Sequence, residues 1–122
     1  MVGTIMSLAD KDTTIILDNL SHACILDGTF LAAGTPRNGP EVRFFNHNSA
    51  RSLRRCLRTR ERKNALVIIE GIYSLDGDEA TIIELVEAVE EDERAVLLCD
   101  DAHGTGTLGK GGRGIVEKYD LL

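Results

Sequence analysis

Two acids and a histidine directly follow an apolar run near the end of the sequence. Residues 95–99 read Ala-Val-Leu-Leu-Cys, and Asp100, Asp101 and His103 come next, before a glycine-rich stretch. An uninterrupted apolar run of this length is typical of a strand covered on both faces, as in a parallel α/β sheet. Such sheets form their ligand sites where the strands end. We therefore expect Asp100 and His103 to lie at a site on the carboxyl edge of a sheet.

Two kinds of site match this stretch only in part. Residues 104–110 fit the G-x-x-x-x-G-K pattern of a phosphate-binding loop, but Gly111 stands where such a loop needs Ser or Thr to hold magnesium. The two acids and the histidine, with Glu70, offer oxygen and nitrogen ligands to a metal ion. No pair of histidines at helical spacing supports a metal site, and we expect none.

Two further interpretations remain. In a non-catalytic α/β module, the same residues would cap helices and close loops. In a pyridoxal phosphate site, Asp100 would face the pyridine nitrogen and keep it protonated, so that the ring accepts electrons from a developing carbanion. His103 would then bind the phenolic oxygen of the ring, and His22 would stack on its face. The residues alone leave both interpretations open.

The composition excludes several classes of protein. The 122 residues carry a formal net charge of -6, which opposes binding to nucleic acid, and two Tyr, three Phe and no Trp leave little to stack on bases. No apolar stretch approaches the roughly 20 residues that span a bilayer, so no membrane partner is expected. Three cysteines without a C-x-x-C pair indicate a reducing, cytoplasmic setting. We expect one soluble domain or a piece of one.

Apolar periodicity predicts a helix followed by four strands that alternate with three helices. The strands are predicted at residues 13–17, 42–45, 66–69 and 95–99. The first helix lies within residues 1–12, and the later helices carry apolar positions within 23–33, 50–57 and 82–89. This alternation is the pattern of βαβ crossovers. The predicted fold class is α/β, with a doubly wound, mainly parallel sheet.

The second helix has a predicted N-cap and a predicted buried face. Ser21 is the N-cap, and Ala23, Leu26, Phe30 and Ala33 follow helical spacing. In the fourth helix, the positions predicted to be buried are Ile82, Leu85, Val86 and Val89.

The third helix is predicted to begin after Asn48 or Ser49, and its predicted apolar face consists of Ala50, Leu53, Cys56 and Leu57. Its other face is basic, and the residues concerned are Arg51, Arg54, Arg55, Arg58, Arg60, Arg62 and Lys63. We interpret this face as solvated rather than as an anion-binding patch, because charged runs on surface helices are common.

Chemically useful residues fall just beyond the predicted strand ends. They are His22, His47, Glu70, Ser74, Asp100 and His103. Each of them alone is more typical of a helix cap or a local hydrogen bond. Because the carboxyl ends of parallel strands meet at one edge of a sheet, we expect residues scattered over 80 positions to converge there.

Several motifs, in matching order and spacing, resemble one enzyme family. They are residues 18–23 (DNLSHA), 70–77 (EGIYSLDG), 100–106 (DDAHGTG), 108–109 (LG) and 112–114 (GRG). Together they resemble the α-oxoamine synthases, which are fold-type I enzymes that depend on pyridoxal 5'-phosphate. The resemblance covers nearly the whole chain and is specific in combination.

The resemblance implies a role for each matching residue. His22 would stack on the cofactor ring, Asp100 would pair with its nitrogen, and Ser74 and His103 would reach its phenolic oxygen. Glu70 would lie close to the substrate. The implied catalytic residues are His22, Glu70 and His103, and the implied cofactor-binding residues are His22, Ser74, Asp100 and His103.

Two positions depart from the family pattern. His47 and Asn48 match the family's H-N-D segment, but Ser49 stands in place of the Asp. Ser21 replaces the usual Asn before the stacking histidine, His22. The second change affects how that histidine is held.

The resemblance also implies the activity of the full-length relative. It is a biosynthetic transferase of the class I and II aminotransferase type that condenses an amino acid with an acyl-CoA, loses carbon dioxide and gives an aminoketone. A cytoplasmic homodimer is implied. An aminotransferase of the same fold and a non-catalytic truncated α/β module are the alternatives.

Residues 1–122 are expected to form an internal fragment of the cofactor-binding large domain. The family's Schiff-base lysine lies some tens of residues beyond the D-D-A-H motif, outside this chain. Lys110 matches an ordinary loop position and is not expected to replace it.

Overall fold

The computed structural model describes residues 2–33, 39–73, 79–102, 104–106 and 108–121. The helices are α1 (Val2–Leu8), α2 (Ala23–Ala33), α3 (Ala50–Thr59), α4 (Ile82–Glu90) and α5 (Ile115–Lys118). The strands are β1 (Thr13–Asp18), β2 (Glu41–Phe45), β3 (Asn64–Glu70) and β4 (Ala95–Asp100). Strands β1, β3 and β4 each extend one residue beyond the predicted apolar run. The added residues are Asp18, Glu70 and Asp100, which still pair in the ladder.

The four strands form one sheet in the order β2-β1-β3-β4, and all neighbouring pairs are parallel. Leu17 of β1 lies beside Ile68 of β3, and Glu70 of β3 lies beside Asp100 of β4. The predicted α/β class with a parallel sheet is confirmed. All strand carboxyl ends therefore lie on one edge.

Helices cover both faces of the sheet. One core joins Ile5 of α1 and Ile25 of α2 to strand residues such as Leu17. The other core joins helices α3, α4 and α5 to the alternate strand residues, such as Ile16 and Val67. Because successive strand side chains point to opposite faces, the apolar strands feed both cores. The sheet is doubly wound, as predicted.

Strands β1 and β3 are neighbours whose following helices lie on opposite faces. Helix α2, after β1, belongs to one core, and α4, after β3, belongs to the other. This divergence opens a crevice at the carboxyl ends of the two strands, which is where open α/β sheets bind ligands. The residues that follow Leu17 and Ile69 are therefore the candidates for a ligand site.

The apolar positions that follow helical spacing in α2 do not form its buried face. Ile25, Gly28 and Thr29 are buried, whereas Phe30 is 60% exposed and Ala23 is exposed. Helix α2 carries apolar residues around most of its circumference, so their spacing does not select a face. The face that packs on β1 and α1 is selected by tertiary contact.

Strand β4 was predicted to be covered on both faces, and this prediction is wrong. Val96 is 60% exposed and Ala95 and Leu97 are only half-buried. Among the described residues β4 pairs with β3 alone and forms an edge of the sheet.

Helices α3 and α4 largely follow the sequence pattern. Ser49 caps α3 by accepting a hydrogen bond from the Ser52 N–H, and Leu53 and Leu57 are buried. In α4, Val86 was predicted to be buried but is only half-buried, and Ala88, which was not among the predicted positions, is buried.

The basic face of α3 is exposed at Arg51, Arg55 and Arg58, but Arg60 differs. The Arg60 side chain is only 10% exposed; it donates to the carbonyls of Leu57 and Lys63 and pairs with Asp92.

Within the described part of the chain, no helix is long and apolar enough to cross a membrane.

Candidate functional site

Four of the predicted site residues lie at the carboxyl edge of the sheet. Glu70 and Asp100 are the last residues of β3 and β4 and stand side by side in the ladder. His22 follows β1, and His47 follows β2. Ser74 and His103 lie outside the described residues, so the structure does not test their placement.

His22 and Glu70 meet across the crevice between β1 and β3. The backbone N–H of His22 donates to Oε2 of Glu70 at 2.9 Å. Glu70 is 3% exposed, whereas His22 is exposed. Nδ1 of His22 accepts from the N–H of Cys24 at 3.1 Å, an arrangement that requires Nδ1 to be unprotonated. The crevice therefore presents an imidazole whose backbone and ring are both fixed.

A fully buried carboxylate, Asp18, lies behind these residues. It accepts hydrogen bonds from the N–H groups of Leu20 and Asn48, both at 2.9 Å. Nδ1 of His47 lies 3.0 Å from Oδ1 and 3.1 Å from Oδ2. Because a buried charge needs several donors, this convergence accounts for its stability inside the protein. The predicted role of His47 at the strand edge is thus to contact Asp18.

Tyr73 connects Asp18 to Glu70. The tyrosine is fully buried, its hydroxyl accepts the Glu70 N–H at 3.3 Å, and its ring contacts His47 edge-on with centroids 4.6 Å apart. Burial raises the pKa of Tyr73 well above its usual range, and the charge of Asp18 and a hydrogen bond to it raise the pKa further. The hydroxyl therefore stays protonated.

Asn48 extends the network to the start of α4. Its backbone is in the left-handed region, with φ 55°, and the Asp18 carboxylate holds its N–H. Its side-chain amide donates to the Glu79 carbonyl at 2.9 Å and accepts from the Thr81 N–H at 3.2 Å. The Thr81 hydroxyl donates to the Asn48 carbonyl at 2.9 Å.

The adjacent acids Asp100 and Asp101 occupy different surroundings. Asp100 is half-buried, and its Oδ1 accepts the Ala102 N–H at 3.2 Å. Asp101 turns into a pocket lined by glycines and accepts the Ile115 N–H at 2.7 Å. Asp101 thus holds the start of α5, and Asp100 remains at the strand edge.

The pocket around Asp101 has room only for glycine. A Cβ atom on Gly71 or Gly104 would lie 2.0 Å from Oδ1 of Asp101, and one on Gly114 would lie 1.8 Å from Oδ2. Oδ1 is buried and accepts no hydrogen bond from any described residue. These three glycines and Asp101 form what we call the glycine pocket.

The carboxylates make the edge electronegative. Burial raises the pKa of the Cys99 thiol to about 12, and the charges of Asp101, Asp100 and Glu70 add to the increase. A cation or a protonated ring nitrogen is therefore favoured here over an anion.

The described residues argue against the phosphate-loop interpretation and do not test the metal interpretation. The N–H groups of Gly111 and Arg113 donate to the Glu117 carboxylate, which takes the place that a phosphate would need. The described residues contain no group of three or more metal-ligating side chains, and His103 of that hypothesis lies outside them.

Sequence reasoning missed Asp18 and Asn48 as parts of this site. The signal for Asp18 was an acid that ends a fully apolar strand, the same signal that identified Glu70 and Asp100. No sequence signal indicated the left-handed backbone of Asn48 beyond the tolerance of Asn for that conformation.

Several curated relatives are named as 8-amino-7-oxononanoate synthases. The 8-amino-7-oxononanoate synthase of Methylococcus capsulatus is 39% identical over 120 residues, which are 98% of this chain and 29% of that protein. A putative 8-amino-7-oxononanoate synthase of Desulforudis audaxviator is 40% identical over 115 residues. The chain spans less than a third of the length of these relatives.

Solved structures show the same fold. A Sphingomonas wittichii serine palmitoyltransferase superposes with a TM-score of 0.86 at 38% identity, over 98% of this chain and 29% of that one. A variant of the serine palmitoyltransferase from S. paucimobilis, described with bound PLP–myriocin aldimine, gives 0.84 at 37% identity, with the same shares covered. The model of the family "Aminotransferase class I and II" matches residues 1–121. The chain therefore belongs to the class I and II aminotransferase family.

Proposed function

We propose that this chain is part of a pyridoxal phosphate-dependent transferase that condenses an amino acid with an acyl-CoA to give an aminoketone. Its relatives are named as synthases of 8-amino-7-oxononanoate, itself an aminoketone, and similar structures are serine palmitoyltransferases. These names favour acyl condensation over amino-group transfer. Residues 1–122 would form part of the cofactor-binding domain.

The observation that carries the proposal is that Asp100 and the exposed imidazole of His22 both adjoin Glu70 at one edge of the sheet. Asp100 lies beside Glu70 in the ladder, and Glu70 holds the backbone of His22. No described residue donates to Oδ2 of Asp100, which leaves an acceptor for a protonated ring nitrogen. The donor set fits pyridoxal phosphate, whose ring needs a carboxylate at its nitrogen and a flat group on its face.

When bound, the cofactor supplies an electron-accepting ring. Asp100 would hold the proton on the ring nitrogen through a charge-assisted hydrogen bond. His22 would stack on the cofactor ring and set the distance between that ring and the sheet. It could do so because Glu70 fixes the His22 backbone and Cys24 fixes the His22 imidazole. Glu70 would exclude water below the substrate. Ser74 and His103 would donate to the phenolic oxygen.

The assembly and location are also proposals. We assign the whole enzyme to the cytoplasm, since Cys24, Cys56 and Cys99 are all free thiols, as expected in a reducing compartment. A homodimer follows from the resemblance to the α-oxoamine synthases alone.

A chimera tests the proposed function. This chain would replace the matched segment of the M. capsulatus synthase, which supplies the regions that the chain does not span. The visible absorbance of bound cofactor and the release of CoA would be measured with amino acid and acyl-CoA. We expect cofactor binding and CoA release, both dependent on amino acid. A folded chimera that binds no pyridoxal phosphate would refute the proposal.

The matched control is the chimera with Asp27→Asn. Asp27 is an exposed carboxylate on α2, away from the strand carboxyl ends. It should behave as the unmodified chimera does. Amino-group transfer to an oxo acid without CoA release would instead favour an aminotransferase.

A further inference from the structure

The carboxylate of Asp18 joins loops that follow different strands. Leu20 lies after β1, whereas His47 and Asn48 lie after β2, and all three donate to the same buried side chain. The carboxylate has no solvent exposure. Because its donors come from separate loops, a change at Asp18 shifts those loops relative to one another.

The loop after β3 joins the same carboxylate through Tyr73. The hydroxyl of this buried tyrosine accepts the backbone N–H of Glu70 at 3.3 Å. Its ring packs edge-on against His47, which itself contacts Asp18. The three loops at the carboxyl ends of β1, β2 and β3 thus share one anchor.

The anchor reaches His22 from two directions. The N–H and the hydroxyl of Ser21 donate to the Asp18 carbonyl at 3.1 and 2.6 Å, immediately before His22. From the other side, the His22 N–H binds Glu70, whose own N–H binds Tyr73. The backbone carbonyl of Asp18 therefore holds the residue before His22, and the Asp18 carboxylate reaches Glu70 through His47 and Tyr73.

Asn48 links the Asp18 carboxylate to a fourth segment, the start of α4. With its N–H held by Asp18, the amide side chain of Asn48 binds Glu79 and Thr81 at the start of α4. Tyr73 and Glu79 flank residues 74–78, so both flanks of that segment are attached to the same carboxylate.

We propose that Asp18 is the positioning residue of the cofactor face: it touches no cofactor and sets the height and orientation of His22 and Glu70 through these loops. This role rests on the proposed function. A buried charge is a poor way to stabilise a fold, since apolar replacements of buried ionic groups are often neutral. What the carboxylate supplies is a fixed geometry for donors from separate loops.

Hydrogen exchange of single amides in dilute solution tests the geometry in the 122-residue chain. In Asp18→Ala, the amides of Leu20, His22 and Asn48 should exchange about tenfold faster or more, because their acceptors are lost or displaced. Asp18→Asn keeps one acceptor oxygen and should protect only one of the two amides, Leu20 or Asn48.

Two controls separate positioning from general loss of stability. Asp92→Asn breaks a partly buried ion pair near the C-terminal ends of α3 and α4, and should leave all three amides unchanged. Glu70→Ala should speed exchange of the His22 amide alone and leave that of Asn48 protected. An equal effect of Asp92→Asn, or protected His22 and Asn48 amides in both Asp18 variants, would overturn the proposal.

A titration with pyridoxal 5'-phosphate separates this inference from the proposed function. In the unmodified chain the His22 ring resonances should move on addition, and in Asp18→Ala the shift should fall at least severalfold. If the cofactor moves no resonance in the unmodified chain, the exchange pattern alone decides whether Asp18 positions His22, and the chimera decides the proposed function. A full His22 shift in Asp18→Ala would contradict the role of Asp18.

Discussion

The backbone N–H of His22 donates to the buried carboxylate of Glu70 at 2.9 Å, across 48 residues of sequence. This bond joins the loop after β1 to the end of β3. It is the direct link between the residue expected to stack on the cofactor and the residue expected near the substrate.

Replacement of Glu70 tests that link. Glu70→Gln retains an oxygen acceptor and should keep the His22 amide protected from exchange. Glu70→Ala removes the acceptor and should speed that exchange about tenfold, since a lost hydrogen bond is worth about 1–2 kcal/mol. Amide exchange measured by NMR distinguishes the two variants. Equal exchange rates in both would show that the carboxylate does not hold His22.

Asp100→Asn tests the contact with the ring nitrogen in the chimera. The amide no longer holds a proton on the nitrogen through an ionic bond, so the rate should fall about 30-fold to 1000-fold, for about 2–4 kcal/mol. Bound cofactor should remain detectable by absorbance. Release of CoA under single-turnover conditions measures the rate. His103→Ala should have the smaller effect; the reverse order would contradict the assignment of Asp100.

The glycine pocket predicts where alanine is not tolerated. Gly104→Ala and Gly114→Ala would bring a Cβ atom to about the bonding distance of the Asp101 oxygens, and Gly114 also has φ 88°. We expect a loss of about 1–3 kcal/mol in each case, measured by urea denaturation. Gly3→Ala is the control, since a Cβ on Gly3 of α1 meets nothing within 4 Å and alanine favours a helix. Unchanged stability of both loop variants would contradict the pocket.

The Arg60–Asp92 pair predicts an acid-sensitive contribution to stability. The hydrogen bond from Arg60 holds the pKa of Asp92 below its usual range, outweighing the opposing effect of burial. The stabilisation is therefore present above about pH 4, where an unfolded Asp ionises, and is lost as pH falls through the lower, folded pKa. Asp92→Asn should lower the free energy of unfolding by about 1–2 kcal/mol at neutral pH and flatten the acid limb.

Thermal unfolding at several pH values measures this contribution. The exposed pair Arg54–Glu91 is the matched control, because solvent screens such pairs. Glu91→Gln should leave the unfolding temperature unchanged. A larger effect of Glu91→Gln than of Asp92→Asn would show that burial of the Arg60 pair is unimportant.

The open edge at β4 predicts self-association of the chain. Val96 is 60% exposed on a strand that pairs on one side only among the described residues, and such edges pair with other chains. Val96→Lys should shift the sedimentation profile toward monomer. Asp27→Asn on α2 is the control. A sharp, cooperative thermal transition of an unmodified monomer would argue against the exposed edge.

The strands were predictable because each apolar run ends in a polar residue that marks the strand end. Glu70 and Asp100 could be placed at one edge for that reason, and the ladder pairs them. Asp18 also ends an apolar run. Its burial could not be predicted, however, because it depends on hydrogen-bond donors that lie up to 30 residues away in the sequence.

Faces of elements were less predictable than their ends. The burial of Ile25 instead of Phe30 in α2 depends on how α1 packs there, which the spacing of apolar residues does not specify. The glycine pocket around Asp101 was also hidden, because its glycines come from three separate turns and each alone is typical of a loop.

The strand order has a consequence for how the chain acquires this site. Strand β1 is central and pairs with β3, yet β2 and α3 lie between them in sequence. Contacts of such long sequence separation form slowly, since a large loop must close before any pairing compensates for it. His22 and Glu70 therefore meet only at a late, cooperative step of folding. During synthesis, β1 is expected to emerge before β3, its neighbour in the sheet. The rate at which the two strands pair therefore determines how long the unpaired β1 can aggregate or bind a chaperone.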